Sequence, residues 1–239
     1  MEVRPIPIRP SVAPQAPALI QAEPEPIEID LRRTAILVVD ISNDFFSKGG
    51  TLDKLWNMDI SGNRSIIEPC RKVLNAARVK GLRIVYQYLA YRPDLSDCGG
   101  DNSPHWYKES ALAAYIKDPE IIDVRDGSWN VSIIDEVKPE PTDIVVRKPR
   151  YNGFTHTDLD VILKTHNIKY LVFLGSATNL CVEGTLRQAY DLDYFCILLS
   201  DAVHHVGPDF TQEATINNVK FCLGWVTTTE DFIRGIQGA

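Results

Sequence analysis

The 239-residue chain carries 25 basic and 32 acidic side chains, for a net charge of −7. That balance argues against nucleic acid and anionic membrane surfaces as partners, since both require a basic footprint, and no stretch of eighteen or more apolar residues is present to span a bilayer. A hydrophobic share of 44% and a charged share of 24% describe an ordinary globular chain, long enough to bury a core without disulfide or metal staples.

In chain order, the first segment is proline-rich. Pro5, Pro7, Pro10, Pro14, Pro17, Pro24 and Pro26 all fall within residues 1–30. Each fixes φ and removes a backbone donor, which disfavours a helix or a paired central strand. Residues 1–30 therefore read as an extended arm draped over the domain or a partner subunit, or as a disordered tail. Residues 31–239 read as one domain.

Within that domain, apolar runs alternate with helical patterns. TAILVVD (34–40), LRIVYQYL (82–89), TDIVVRK (142–148), KYLVFLGS (169–176), YFCILLSD (194–201) and KFCLGWVTT (220–228) are the six strand candidates. Near-continuous Val, Ile and Leu runs fit strands buried on both faces of a parallel sheet. Helices are expected over 64–81, 157–167, 181–193 and 210–218, the first closed by Gly81. This alternation predicts a Rossmann-like α/β domain, a three-layer sandwich around a mostly parallel six-stranded sheet. Residues 90–130 are polar, rich in Gly and aromatics, and too long for a simple connection, as substrate loops often are.

The five cysteines, Cys70, Cys98, Cys181, Cys196 and Cys222, are odd in number and form no C-x-x-C pair. Neither a zinc ribbon nor a thioredoxin site is signalled, and the expectation is reduced thiols in a cytoplasmic protein. The start MEVRPIPIRP lacks the apolar stretch of a secretory signal. Cys70, Cys196 and Cys222 lie in apolar runs and read as core; Cys98, in the polar insertion, reads as exposed.

In an open parallel sheet, ligands bind beyond the carboxyl ends of the strands. Asp40 closes the first strand, Lys148 closes the third, and Cys181 follows the fourth at a helix start. Singly they read as a cap, a solvated cation and a packing thiol. Together they supply a nucleophile, a proton acceptor and a cation. A helix start and an ammonium favour the thiolate, and a carboxylate can take its proton and return it to a leaving amine. The small residues of GSATNLC (175–181) allow backbone to approach a ligand, and free N–H groups there can hold an oxyanion.

VVDISNDF (38–45), RKPRYNGF (147–154) and GSATNLCVEGTLRQAYDLDY (175–194) resemble the isochorismatase-like cysteine hydrolase superfamily. The resemblance implies a catalytic Asp40–Lys148–Cys181 triad, an oxyanion hole from the N–H groups of Ala177 and Cys181, and a non-proline cis peptide at Ser176–Ala177. NSPHWYKESAL (102–112), DGSWN (126–130) and Gly224–Trp225 are similar to ureidoacrylate amidohydrolases. That similarity implies hydrolysis of a terminal ureido or carbamoyl amide, through a thioester, with ammonia released. The chain departs from the pattern at Ser42, where the family has Gln, and at Leu89 and Tyr91, where those enzymes have Asn and Trp. The departures leave room for biuret or another small amide, and a non-catalytic member of the fold is the other class.

YQYLAYRPD holds no His of the kind nicotinamidases use to bind metal, so neither metal nor cofactor is expected. His204–His205 has no third ligand at metal spacing. His156 faces substrate or starts a helix. Phe45, Tyr91, Arg150 and Tyr151 are the candidate substrate-binding residues; Phe45, Trp106, Tyr107 and Trp129 are pocket walls or core. The expected partner is a small-molecule substrate, and the resemblance and the arm imply a homo-oligomer, a dimer or tetramer.

Overall fold

The computed structural model describes residues 17–239. Its first elements are β1 (Ala18–Ile20) and β2 (Ile27–Ile29), which pair antiparallel. Over these residues the proline-rich segment lies on the domain as a strand pair. Ala18, Ile20, Ile27 and Ile29 alternate inward and join the main core. Pro24 and Pro26 fall in the connection, where a missing donor costs nothing. Glu23 then exchanges backbone hydrogen bonds of 2.8 and 2.9 Å with Val226. Pro5, Pro7, Pro10 and Pro14 lie outside the described residues.

The chain continues through β3 (Thr34–Val39), α1 (Asn43–Phe46), α2 (Thr51–Lys54), α3 (Ser61–Ser65), α4 (Ile67–Val79) and β4 (Arg83–Leu89). Next come α5 (Pro104–Lys108), α6 (Ser110–Lys117), β5 (Ile144–Lys148), α7 (Leu159–Thr165) and β6 (Tyr170–Ser176). A π-helical turn, Thr178–Val182, leads into α8 (Glu183–Asp191), followed by β7 (Phe195–His204) and α9 (Phe210–Asn218). A second such turn, Val219–Leu223, precedes β8 (Trp225–Thr227) and α10 (Thr229–Gln237).

Six parallel strands form the main sheet in the order β5-β4-β3-β6-β7-β8. Every residue of β3 is buried, as the unbroken apolar run requires of a central strand. On one face Ile36 and Val38 pack against Val73 and Leu74 of α4 and Phe232 and Ile236 of α10. On the other, Leu37 and Val39 share a core with Leu163 of α7 and Leu186 and Ala189 of α8. From β3 the chain adds strands first on one side and then on the other. The carboxyl ends of β3 and β6 therefore flank the topological switch point, where this architecture opens a crevice.

Three expectations are corrected. The sixth strand covers only Trp225–Thr227; residues 219–223 wind on from α9 as a helical turn. Gly224 permits the change of course, because a Cβ there would lie 2.1 Å from the Cys196 carbonyl oxygen. Cys98 is buried, since the 90–130 insertion has a small core of its own with Tyr91, Leu112 and Tyr115. Cys222 is exposed, because the turn that carries it points the side chain outward. The terminal helix α10 has its signal in Thr228, whose hydroxyl accepts the Asp231 N–H and donates to the Asp231 carboxylate.

Candidate active site

Beyond the last residue of β3, Asp40 takes a left-handed backbone with φ of 49°, a conformation Asp tolerates better than most residues. Its N–H remains tied to the Gln87 carbonyl at 2.9 Å. Its Oδ1 accepts the Leu89 N–H at 2.7 Å, and its Oδ2 lies 2.7 Å from Lys148 Nζ. Both charged side chains are fully buried. Lys148 ends β5, two strands away, and reaches back across the end of β4; its ammonium also donates to the Arg150 carbonyl at 3.3 Å.

Cys181 sits in the turn after β6, buried, where the Asp40 carboxylate and the Lys148 ammonium both act on its thiol. The strand-to-helix crossing needs Gly175. Its φ is 121°, and a Cβ there would lie 2.0 Å from the Val39 carbonyl oxygen, so β3 and β6 can approach only without one. The Ser176–Ala177 peptide is cis. Asn179 fixes the turn from outside, its side chain donating to the Val206 carbonyl and accepting the Val206 N–H. Thr185 joins the loops after β5 and β6: it donates to the Cys181 carbonyl at 2.6 Å and accepts the Gly153 N–H at 2.9 Å.

Burial pushes the Cys181 thiol up, and the Asp40 carboxylate pushes it further; Lys148 opposes both and loses. The thiol is thus held above its usual range, and the helix start and ammonium that favour the thiolate do not offset burial and Asp40. Burial alone would lower Lys148, but the Asp40 carboxylate outweighs it and holds the ammonium above its usual range. A neutral thiol beside a carboxylate whose own partner is a fixed cation can lose its proton as it attacks.

A cavity of about 40 Å³ opens over Cys181 and Ala177, with Phe45, Tyr91 and Tyr151 among its walls. That is space for a few water-sized groups. Arg150 does not line it; its guanidinium donates to the Asp97 carbonyl at 2.9 Å and braces the neighbouring loop. Trp106 packs in the insertion's own core, and Tyr107 and Trp129 are exposed. His156 holds φ of 59° in the loop after Phe154 and is outside the cavity lining. A larger open groove of about 750 Å³ lies at the opposite, amino end of the strands, near Phe195 and Trp225, and none of Asp40, Lys148 and Cys181 faces it.

Two cavity residues carry charge and were given no role from sequence: Asp44 of α1 and Glu109 at the start of α6. Asp44 Oδ1 accepts the Thr51 hydroxyl at 2.7 Å, and burial raises its carboxyl to about 7. Glu109 caps α6 through the N–H groups of Ala111 and Leu112, and burial raises its carboxyl too. The Tyr91 hydroxyl lies 2.6 Å from His105 Nε2. Burial and the nearby Arg150 and Lys148 lower that imidazole to about 4, so it is neutral. Asp44 lies within VVDISNDF and Glu109 within NSPHWYKESAL, but nothing in either string says that the chain brings them to one cavity. Among the described residues no group of three or more His, Cys, Asp or Glu side chains is placed to hold a metal ion.

The isochorismatase domain model matches residues 34–231, and the chain belongs to that family. It is 44% identical to the ureidoacrylate amidohydrolase RutB of Agrobacterium fabrum over 222 residues, 92% of this chain and 97% of that one. Among solved structures it is similar to a cysteine hydrolase from Pseudomonas syringae pv. phaseolicola, with a TM-score of 0.74, 28% identity, and coverage of 88% of this chain and 95% of that one. It is also similar to N-carbamoylsarcosine amidase from Thermoplasma acidophilum, with a TM-score of 0.64, 26% identity, and coverage of 83% and 97%.

Proposed function

We propose that this protein is a cysteine amidohydrolase that cleaves a terminal ureido or carbamoyl amide and releases ammonia. The observation that carries the reading is the buried Asp40–Lys148 pair, 2.7 Å apart, acting on a buried thiol that opens onto a small cavity. Relatives named as ureidoacrylate amidohydrolases, 44% identical in the case above, support it.

In this reading Cys181 Sγ attacks the carbonyl carbon while Asp40 takes the thiol proton. Lys148 pairs with Asp40 and fixes its direction. The tetrahedral oxyanion is held by the N–H groups of Ala177 and Cys181, each donor worth about 2.7–4 kcal/mol in comparable sites. Asp40 then protonates the leaving nitrogen, ammonia departs, and a thioester remains. Water, activated by Asp40, attacks the thioester and returns the proton to sulfur. A neutral thiol at rest suits this sequence, because the proton that leaves Cys181 is the one the leaving nitrogen needs. Phe45, Tyr91 and Tyr151 wall the substrate; Arg150 acts only by holding the loop behind them. The same reading carries a homo-oligomer, a dimer or tetramer, at work in the cytoplasm, and a single-chain mass by light scattering removes that part of it.

The test is ammonia release from ureidoacrylate and a panel of ureido compounds, with an acid quench and mass spectrometry of the Cys181 peptide. An acyl adduct on Cys181, absent from Cys181→Ser, supports the thioester. Ammonia release without an adduct under any trapping condition favours direct attack by water.

A further inference from the structure

Ser176 is the last residue of β6 and precedes Ala177, which lines the cavity beside Cys181. Side chains alternate along a strand. Val172 and Leu174 of β6 belong to the core on the α4 side, so Ser176 points to that side as well. A hydroxyl placed there needs partners, because a buried polar atom left unpaired is costly. Ser176 Oγ has two: it accepts from Asn63 Nδ2 at 2.9 Å and donates to the His204 carbonyl at 3.3 Å. Asn63 belongs to α3, 113 residues earlier in the chain, and both side chains are buried. The short helix comes this close because residue 62 is Gly; a Cβ there would lie 2.2 Å from His204 Nε2. Neither Asn63 nor Ser176 lines the cavity.

We infer that Asn63 is a positioning residue for the oxyanion: through Ser176 it fixes where the Ala177 N–H stands when the carbonyl oxygen becomes negatively charged. This rests on the amidohydrolase reading and deepens it. Two ties hold the turn that carries Ala177 and Cys181, one from each face of the sheet. Thr185 of α8 holds it at the Cys181 carbonyl, on the face where Leu186 and Ala189 pack. Asn63 holds it at the end of β6, from the α4 face. The ties act on different atoms: Thr185 steadies the residue that carries the sulfur, and Asn63 the donor one residue beyond Ser176. A donor to an oxyanion is effective only if it is already aimed at the place where charge develops. A buried amide held at a fixed distance supplies that aim, since nothing at the strand end can shift without breaking its hydrogen bond. Asn63 touches neither substrate nor sulfur, so its loss should slow the reaction without weakening binding.

The test separates the donor from the sulfur. Propanal adds to a thiol: sulfur bonds to the carbonyl carbon, the C=O π bond opens, and the thiol proton ends on the oxygen, with nothing released. The tetrahedral oxygen then occupies the place of the oxyanion. Chloroacetamide alkylates the same sulfur by displacing chloride, the thiol proton passing to solvent, and forms no such oxygen. Mass spectrometry of the Cys181 peptide gives the alkylation rate, and its slowing by propanal gives the affinity for the aldehyde. Asn63→Leu keeps the volume and removes the donor. Ser176→Ala removes a single oxygen and serves where Asn63→Leu does not fold. In each, propanal affinity should fall at least about tenfold while alkylation without aldehyde stays within about twofold, the contrast expected when an oxyanion donor moves and the nucleophile does not. For ammonia release from ureidoacrylate, kcat should fall in parallel and KM should change little. Asn63→Leu/Ser176→Ala should lose no more than the worse single variant, because the two side chains act as one unit. Unchanged propanal affinity in both single variants, equal losses in affinity and alkylation rate, additive losses in the double variant, or no protection by propanal in the wild type overturns the inference. If the propanal contrast appears but the wild type releases no ammonia from any ureido compound, the inference stands and the amidohydrolase reading fails.

Discussion

Lys148 Nζ and Asp40 Oδ2 stand 2.7 Å apart with both side chains fully buried. Taking two charges out of water is costly, so such a pair adds little net stability, whereas breaking it strands a charge. Lys148→Met should therefore destabilise the fold by about 3–5 kcal/mol. Asp40→Asn/Lys148→Met should recover much of that loss while activity stays absent. Urea unfolding of the single and double variants gives the coupling directly. Additive losses would mean that the pair does not interact as its geometry requires.

The resting thiol supplies a second prediction. Asp40 lifts Cys181 and Lys148 lowers it. Asp40→Asn removes the lifting charge and leaves the ammonium, so Cys181 should become a thiolate at lower pH than in the wild type. Ultraviolet thiolate absorbance follows this, with Asp40→Asn/Cys181→Ser as the blank for the other cysteines. Amide hydrolysis should nonetheless fall by about 10²–10⁴, the usual worth of a general base. More thiolate with less turnover separates a proton-accepting Asp40 from one that only shapes the site.

The sheet was readable because its strands are apolar runs of the right length, and the meeting of Asp40, Lys148 and Cys181 because each ends or follows such a run. Other features were hidden for definite reasons. Residues 219–223 look like strand because Phe221, Cys222 and Leu223 are apolar, yet they continue the preceding helix and leave Phe221 exposed. Cys98 lies in a polar segment whose few apolar residues form a separate core that only the folded loop assembles. The upward shift of the Cys181 thiol comes first from burial and then from Asp40, a balance that composition does not carry. Asp44 and Glu109 stand 65 residues apart and meet only because α1 and the insertion fold over one strand end.

Asp44 should make stability depend on pH. Its carboxyl titrates near 7 in the fold because burial disfavours the charge, against about 3.9 in an unfolded chain. With the folded value raised, its contribution is complete below the unfolded value and is lost as pH rises through the folded one. At about 1.4 kcal/mol per tenfold change in proton affinity, Asp44's loss between roughly pH 4 and pH 7 is on the order of 2–4 kcal/mol. Asp44→Asn keeps the Thr51 hydrogen bond and removes the titration. It should unfold at higher urea than the wild type at pH 8, and its stability should vary less across that window. Parallel profiles for the two proteins would show that Asp44 stays ionised in the fold.

Thr185 gives the last prediction, because one hydroxyl serves the loops after both β5 and β6. It donates to the Cys181 carbonyl at 2.6 Å and accepts the Gly153 N–H at 2.9 Å. Thr185→Val keeps the shape and removes both bonds. The Gly153 amide is then buried without a partner, a cost of about 1–3 kcal/mol. The turn that aims Cys181 at the carbonyl carbon loses its tie to the segment after Lys148, and small misplacements of reacting groups can cost up to about 10² in rate. The loss should therefore fall on kcat, with KM little changed, since Thr185 does not line the cavity. Thr185→Ser restores the hydroxyl and should return both stability and rate to near wild type. A Thr185→Val enzyme with unaltered kcat at saturating substrate, despite lower stability, would show that the turn holds Cys181 without this link.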